Sequence, residues 1–503
     1  MYFRFILTSI LCLIIFSITA QDRFMAELDI SSQSFAVTEG ENGQYIIANN
    51  FHPTQGGYNT RTTFLNGLGI IQKNLAHNTC EQEGTSGVLA FDNKILEMYN
   101  KDCDVFGGAI KQYDLEGNLD YDIFIDPKSD RLFLYDLIRS DKTFQVVGSI
   151  KIPNNAVIIS FDFGGNELWR RELNFGGVKT DVFMSVSKTK TGGFLVSGRT
   201  FDREDGDWDM CFAKLDFEGN IIWEKTMDLE EYKDSEETAE SIVELDNGNI
   251  AIGVVFGHRF NVDSLGLRSD RFGLLILDSM GTKISFNTYF EDMYRTYLYD
   301  MVLVKNSNEM VFMVNMNSDR NFATENQILK LLKINQEGEI VWERDLGDTE
   351  NISRIGLVLS ETSDKGFLIG GHWLEFNEKE ERIGPQYVLA IKTDNCGCLV
   401  PNCDPNCKTI IAEVDSELAT ITQISDPYPN PTKNIININY SLSKNDVVRV
   451  AFTNYLGHLV NDYTVSETGT VTYDFSQQAK GMYVYTIKDL SNTVIKSGKL
   501  VIN

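Results

Sequence analysis

The stretch Glu218–Thr226, EGNIIWEKT, reads as a turn, an apolar pair, a tryptophan and a charged exit. The chain repeats this phrase: GGNELWRRE begins at Gly164 and EGEIVWERD at Glu337, with looser versions elsewhere. Working outward gives a register. A Gly-containing turn precedes a short apolar strand in TGGFLVSG (191–198), DNGNIAIG (246–253) and DKGFLIGG (364–371). An alternating strand follows, as in MCFAKLD (210–216), ILKLLKIN (328–335) and YVLAIKTD (387–394). A second turn, with glycine at 117, 165, 219, 281 and 338, leads into the strand that carries the aromatic residue. Glycine there suits a tight turn of positive φ, where a side chain would clash.

A period of several tens of residues built only from short strands is the signature of a β-propeller. One such unit cannot bury both faces of its small sheet, so neighbouring blades share a core. The chain therefore reads as all-β: a propeller over 21–400, counted as seven blades, followed by a small C-terminal β-sandwich. The units end near Asn74, Asp126, Asn174, Leu229, Glu291, Asp348 and Val400. Trp169, Trp223, Phe286 and Trp342 are expected to pack between blades. The seventh unit has its alternating strand but no tryptophan strand after it. Residues 22–30, DRFMAELDI, are expected to supply that strand and close the ring, which removes open sheet edges. Units 1–3 drift from the pattern, so rings of six or eight blades stay open on these grounds.

Laid out in full, GGFLVSGRT, then DWDMCFAKLDFEGNIIWEKT, resembles the secreted bacterial β-propeller repeats of large outer-surface proteins, over most of 40–395. Such repeats serve many functions, so the resemblance implies a fold and no activity.

The ends supply an address. Residues 1–20, MYFRFILTSILCLIIFSITA, have a basic residue, a short apolar core and a small-residue ending, the layout of a secretory signal peptide. Cys12 lacks the preceding small residues of a lipoprotein cleavage site, and no later segment reads as a transmembrane anchor. A formal net charge of −27 repels phosphates and argues against a nucleic-acid partner.

After residue 395 the composition changes. CGCLVPNCDPNCK (396–408) is dense in Cys, Pro and Asn, residues 401–426 read as a linker, and alternating strands run from there to the terminus. The final block resembles the C-terminal sorting domain of type IX secretion cargo (Por secretion type A). The matching pieces are YPNP with Pro429, Asn430 and Pro431, NYLG with Gly457, GMYVYTI with Gly481, and the ending KSGKLVIN. The resemblance implies that 427–503 is a sorting domain. It implies export through the periplasm to the outer cell surface or beyond, with the type IX translocon and its sorting machinery as partners.

Chemistry is thinner. Past the signal segment there are cysteines at 80, 103, 211, 396, 398, 403 and 407. Cys211 alternates into a strand and reads as a small buried apolar residue. Cys80 and Cys103 are a candidate pair. Cys396, Cys398, Cys403 and Cys407 offer four thiolates for zinc. In an oxidising compartment they read instead as disulfides stapling the propeller's exit. DREDGDWD (202–209) sets Asp202, Asp205, Asp207 and Asp209 around Gly206, a calcium candidate that lacks a closing glutamate and competes with a solvated acidic turn. No other cofactor is indicated. Histidines 52, 77, 258, 372 and 458 are scattered, with no HExxH or GxSxG pattern, so no catalytic residue is assigned. His258 and His372 end comparable strands and are candidates for facing the ring's axis together. The expected function is non-enzymatic surface binding or adhesion, with a glycan or protein ligand taken by the variable segments 53–63, 201–209, 257–271 and 374–386. The alternative is a propeller hydrolase or lyase acting on polysaccharide.

Overall fold

The structure, a computed structural model, describes residues 23–503 except 41–42, 52–58, 77–82, 103–105, 126–131, 152–153, 177–179, 202–207, 230–234, 259–269, 291–294, 318–326, 347–351, 378–381, 401–402, 404–422, 425–426, 442–447, 455–458, 466–468 and 489–493. The chain forms two compact units, Met1–Thr409 and Ile410–Asn503. Among the described residues there is no helix.

In the first unit the strands form successive four-stranded antiparallel blades. Blade 2 is Glu83–Phe91, Lys94–Asp102, Phe106–Asp114 and Leu119–Phe124, and blade 3 is Leu132–Arg139, Thr143–Ile150, Asn155–Asp162 and Glu167–Leu173. Blade 4 is Val182–Lys188, Phe194–Phe201, Trp208–Leu215 and Ile221–Met227, and blade 5 is Ser235–Glu244, Ile250–His258, Asp270–Leu277 and Lys283–Tyr289. Blade 6 is Arg295–Leu303, Met310–Asn317, Ile328–Ile334 and Ile340–Asp345. Blade 7 contributes Ile352–Glu361, Phe367–Phe376 and Arg382–Thr393, and blade 1 ends with Tyr45–Phe51, Asn59–Leu65 and Ile71–Leu75.

The long first strand, Phe24–Glu39, belongs to both remaining places. Its first half pairs with blade 7 (Phe24 with Lys392, Leu28 with Val388), and its second half pairs with blade 1 (Val37 with Ile47). One continuous strand thus welds the ends of the ring, as the spare N-terminal segment and the incomplete seventh unit predicted. Arg23 reinforces the weld: its Nε and Nη2 both lie 2.9 Å from Asp394 Oδ2, a carboxylate 3% exposed.

The core is divided as stacked blades require. Its large clusters lie between successive blades. Phe183, Phe194 and Cys211 of blade 4 meet Val147, Ile158 and Leu173 of blade 3, and Leu28, Val37 and Tyr45 meet Leu368 and Val388 across the weld. Cys211 is a free buried thiol, as expected. Each fully buried Leu or Phe contributes about 1.5–3 kcal/mol, so no blade retains its stability without neighbours.

The repeated phrase has a local and a long-range cause. In the turn Asp216–Asn220, the Asp216 carboxylate accepts from Asn220 N at 2.7 Å and Gly219 N donates to Asp216 O at 3.1 Å, with Gly219 at φ 79°. The same hydrogen bonds recur from Asn66, Asp114, Asp162, Asp278, Asn335 and Asp394. The tryptophan of one blade then covers this turn in the next: Trp169 over Gly219, Trp223 over Gly281, Trp342 over Gly397. Blade 5 also packs its aromatic between blades, but on its other side, because Phe286 sits one position later and meets the cluster shared with blade 4. Phe286 packs on Phe256 of its own blade at 5.6 Å, and Asn287 covers Gly338.

The second unit has a three-stranded sheet (Gln423–Ile424, Ile435–Ser441, Gly469–Asp474) and a four-stranded one (Leu459–Val465, Val448–Asn454, Gly481–Lys488, Val494–Ile502). Ile436, Ile438, Phe452, Tyr485 and Leu500 fill the space between them. Gly481 opens a strand at φ 147°, and Gly457 lies outside the described residues. Asn430 of the YPNP motif donates to Lys499 O at 2.8 Å and accepts from Val501 N at 3.0 Å, so the motif clasps the final strand.

Candidate binding site around the propeller axis

The first strands of successive blades stand side by side around the axis. In all seven blades the pairing of first strand with second skips one residue: Phe35, Ser86, Tyr135, Met184, Glu240, Tyr299 and Leu357. Such a bulge re-aims the strand and its side chain. It also explains the glycine that ends the repeated apolar strand. A Cβ on Gly198 would lie 1.9 Å from Val182 O, and Gly148 and Gly371 approach the first strand as closely, whereas blades 1, 2 and 6 make the bulge without a glycine opposite it.

The residue after the bulge is aspartate in blades 3 and 6. Asp136 accepts from Leu137 N (2.7 Å) and, across to blade 4, from Val186 N (2.8 Å). Asp300 accepts from Met301 N and, across to blade 7, from Leu359 N, both at 2.8 Å. Burial raises both carboxyls, Asp300 to about 7, and the Asp136 charge pushes Asp300 further in that direction. Blades 3 and 6 stand three apart in the ring, so charges that feel one another there both lie near the axis.

On one side of the axis the bulges build a continuous polar and aromatic arc. Tyr297 donates to Glu240 Oε1 at 3.1 Å, and its ring packs on Tyr299 at 4.7 Å. Burial lifts the Glu240 carboxyl to about 7, against the opposing effects of the Tyr297 hydrogen bond and the Arg199 charge. Burial also raises the Tyr297, Tyr299 and Tyr135 phenols. Arg199 lies within electrostatic range of both Glu240 and Tyr135, with its guanidinium 4.4 Å from the Trp208 ring centroid. Arg295 pairs with Asp270 at 2.7 Å beside Tyr299. Blades 3, 4, 5 and 6 each contribute, and Tyr135 is 39% exposed. The arrangement presents aromatic faces, one guanidinium and one carboxyl able to hold or release a proton near neutral pH.

The residues singled out in the sequence fall elsewhere. Asp202, Asp205 and Asp207 lie outside the described residues. Asp209 meets Asp228 and Glu237, whose carboxylate oxygens come within 4.8 Å of one another, and these three could hold a hard cation. Cys398 and Cys403 form a disulfide, and Cys396 is disulfide-bonded. Cys80, Cys103 and Cys407 lie outside the described residues. His372 sits in the second strand of blade 7, lowered to about 4 by burial and by the Arg382 charge, and is a neutral core residue. His258 ends the second strand of blade 5. All four expected recognition segments are partly strand: 59–63 lies in Asn59–Leu65, 201 and 208–209 end and begin strands of blade 4, 257–258 and 270–271 do so in blade 5, and 374–376 and 382–386 belong to a hairpin that pairs Glu375 with Ile383. The alternation was broken by polar residues there, but backbone pairing carries the strands on. Nothing in the sequence marked Glu240, Arg199 or the tyrosines, although Gly148 and Gly253 lie opposite the bulges of Tyr135 and Glu240.

No curated protein matches the chain in sequence. Among solved structures, the chain is similar to an ulvan lyase of polysaccharide lyase family PL25, with TM-score 0.52 and 11% identity over 75% of this chain and 97% of that one. The same family's ulvan lyase bound to -[GlcA(1-4)Rha3S]- gives TM-score 0.52 and 12% identity over 74% and 97%. The β-propeller domain of the Trilobed protease from Pyrococcus furiosus gives TM-score 0.38 and 11% identity over 75% and 97%. At these identities the likeness is one of fold. The family of secretion system C-terminal sorting domains matches residues 427–503. No helix among the described residues is long and apolar enough to cross a membrane. The chain is a β-propeller protein that carries a type IX C-terminal sorting domain, which marks it for secretion to the cell surface or outside.

Proposed function

We propose that the exported propeller is a non-enzymatic binding protein whose ligand is a carbohydrate held by the arc of blades 3–6. The observation that supports this reading is the arc itself: Tyr135, Trp208, Tyr297 and Tyr299 set beside Glu240 and Arg199. Aromatic faces give sugar C–H surfaces an apolar seat, and polar groups between them fix orientation. In blades 3 and 6 the bulge is tied to the next blade, through Asp136 to Val186 N and Asp300 to Leu359 N, which stiffens the frame. Screening the purified chain on a glycan array tests the reading. Binding that is lost in Tyr297→Ala supports it, and an array with no bound glycan overturns it.

A polysaccharide lyase or hydrolase is the second reading, favoured by one observation. Glu240 holds its proton up to about pH 7 and is bonded to the Tyr297 phenol, which is a poised acid–base group. Turnover of any bound polysaccharide, abolished in Glu240→Gln, would replace the binding reading with the enzymatic one.

A further inference from the structure

Arg199 stands apart from neighbouring arginines. Arg295 is matched by Asp270 and Arg354 by Glu27. Arg199 has no hydrogen bond or ion pair among the described residues, and its Nε is buried. The guanidinium carbon lies over the Trp208 ring, 4.4 Å from its centroid, and the N–H groups beyond the buried Nε are left for a partner. A guanidinium drawn partly out of water without an acceptor is costly. Glu240 is near enough to be felt but makes no hydrogen bond to it, its Oε1 accepting from the Tyr297 hydroxyl. The planar fork of N–H donors suits two oxygens of one oxyanion.

We propose that Arg199 is the recognition residue for an oxyanion, a carboxylate or a sulfate ester, carried by an acidic polysaccharide lying in the arc. This rests on the carbohydrate reading above and adds the class of sugar. The Tyr135 phenol, hydrogen-bonded with Ser149 and within electrostatic range of the same guanidinium, is a donor for that oxyanion, and the Tyr297–Tyr299 ring pair seats an adjoining sugar ring. The chain's net charge of −27 slows the long-range approach of a polyanion without forbidding one oxyanion in contact with a cation. At physiological ionic strength charges beyond about 8 Å are largely screened, whereas an anion on Arg199 would be in contact.

The test is calorimetric titration of the purified full chain with three probes: polygalacturonate (carboxylate), carrageenan (sulfate ester) and dextran (neutral). Arg199→Gln and Arg199→Lys are titrated in parallel, with melting temperature as the control for folding. The expected result is at least tenfold tighter binding of one or both acidic probes than of dextran. Arg199→Gln should lose that preference, and Arg199→Lys, which keeps charge but not the fork, should fall between. Which acidic probe is preferred separates carboxylate from sulfate. Equal binding of dextran and the acidic probes, unchanged in Arg199→Gln, overturns the oxyanion assignment and leaves the carbohydrate reading standing. Binding of none of the three overturns both. If Arg199→Gln melts early, the assignment is judged on a folded Arg199→Lys, whose unchanged acidic preference would count against it.

Discussion

The six-membered ring of Trp169, in the outer strand of blade 3, lies where a Cβ on Gly219 of blade 4 would stand, 2.7 Å from Cε3. Two residues fifty apart in sequence thereby lock one blade to the next. Gly192 has a similar φ, 89°, but nothing within 4 Å of its Cβ position. Comparing the two separates backbone strain from blade contact. Gly192→Ala should cost about 1–2 kcal/mol for the left-handed backbone alone. Gly219→Ala should cost about 2–4 kcal/mol, because displacement of the tryptophan is added. Denaturant titrations that give equal losses would show that the contact carries no stability.

Ring closure depends on the strand shared by blades 7 and 1. Deleting residues 22–31 removes the outer strand of blade 7 and the Arg23–Asp394 pair. It also uncovers Leu368 and Val388, now covered by Leu28. We expect the melting temperature to fall by more than about 10 °C, since a loss of several kcal/mol moves a large domain by that much. A deletion that melts like the full chain would refute closure by this strand.

Stability should vary with pH through Glu240. Its carboxyl is raised from 4.5 to about 7 mainly by burial, so the fold binds the proton more tightly than the unfolded chain does. That contribution is present below about pH 4.5 and is lost as pH rises through about 7. Glu240→Gln keeps the acceptor for Tyr297 and cannot titrate. Relative to wild type, it should gain about 1–3 kcal/mol between pH 4.5 and pH 8. Parallel stability curves for the two proteins would show that Glu240 titrates normally.

Export should require the last module. A chain lacking 427–503 is expected to accumulate in the periplasm, and surface display of that chain would contradict the assignment. Within the module, Asn430→Ala removes both bonds to the final strand. It should cost about 1–2 kcal/mol and hasten proteolysis near Lys499. Asn430→Asp keeps only the bond from Val501 N and should be milder. Equal cleavage rates in all three would mean that the clasp is idle.

The sequence by itself determined what is local or repeated. An aspartate followed by glycine closes a turn through its own side chain, as Asp216 and Gly219 do, so every such turn could be read from a few residues. Repetition then supplied the blade, and the spare strand at 22–30 supplied the closure, because an edge left open must find a partner. The sorting domain was legible because its motifs hold one another in place, as Asn430 does for residues 499–501. The site was decided by tertiary structure. Tyr135, Glu240 and Tyr299 share a place and no residue type, since a bulge constrains backbone and leaves the side chain free. Arg199 comes within electrostatic range of Glu240 and Tyr135 across three blades, over sequence separations that no spacing encodes. Fold came from periodic local rules, and the site came from where the closed ring brought unlike residues together.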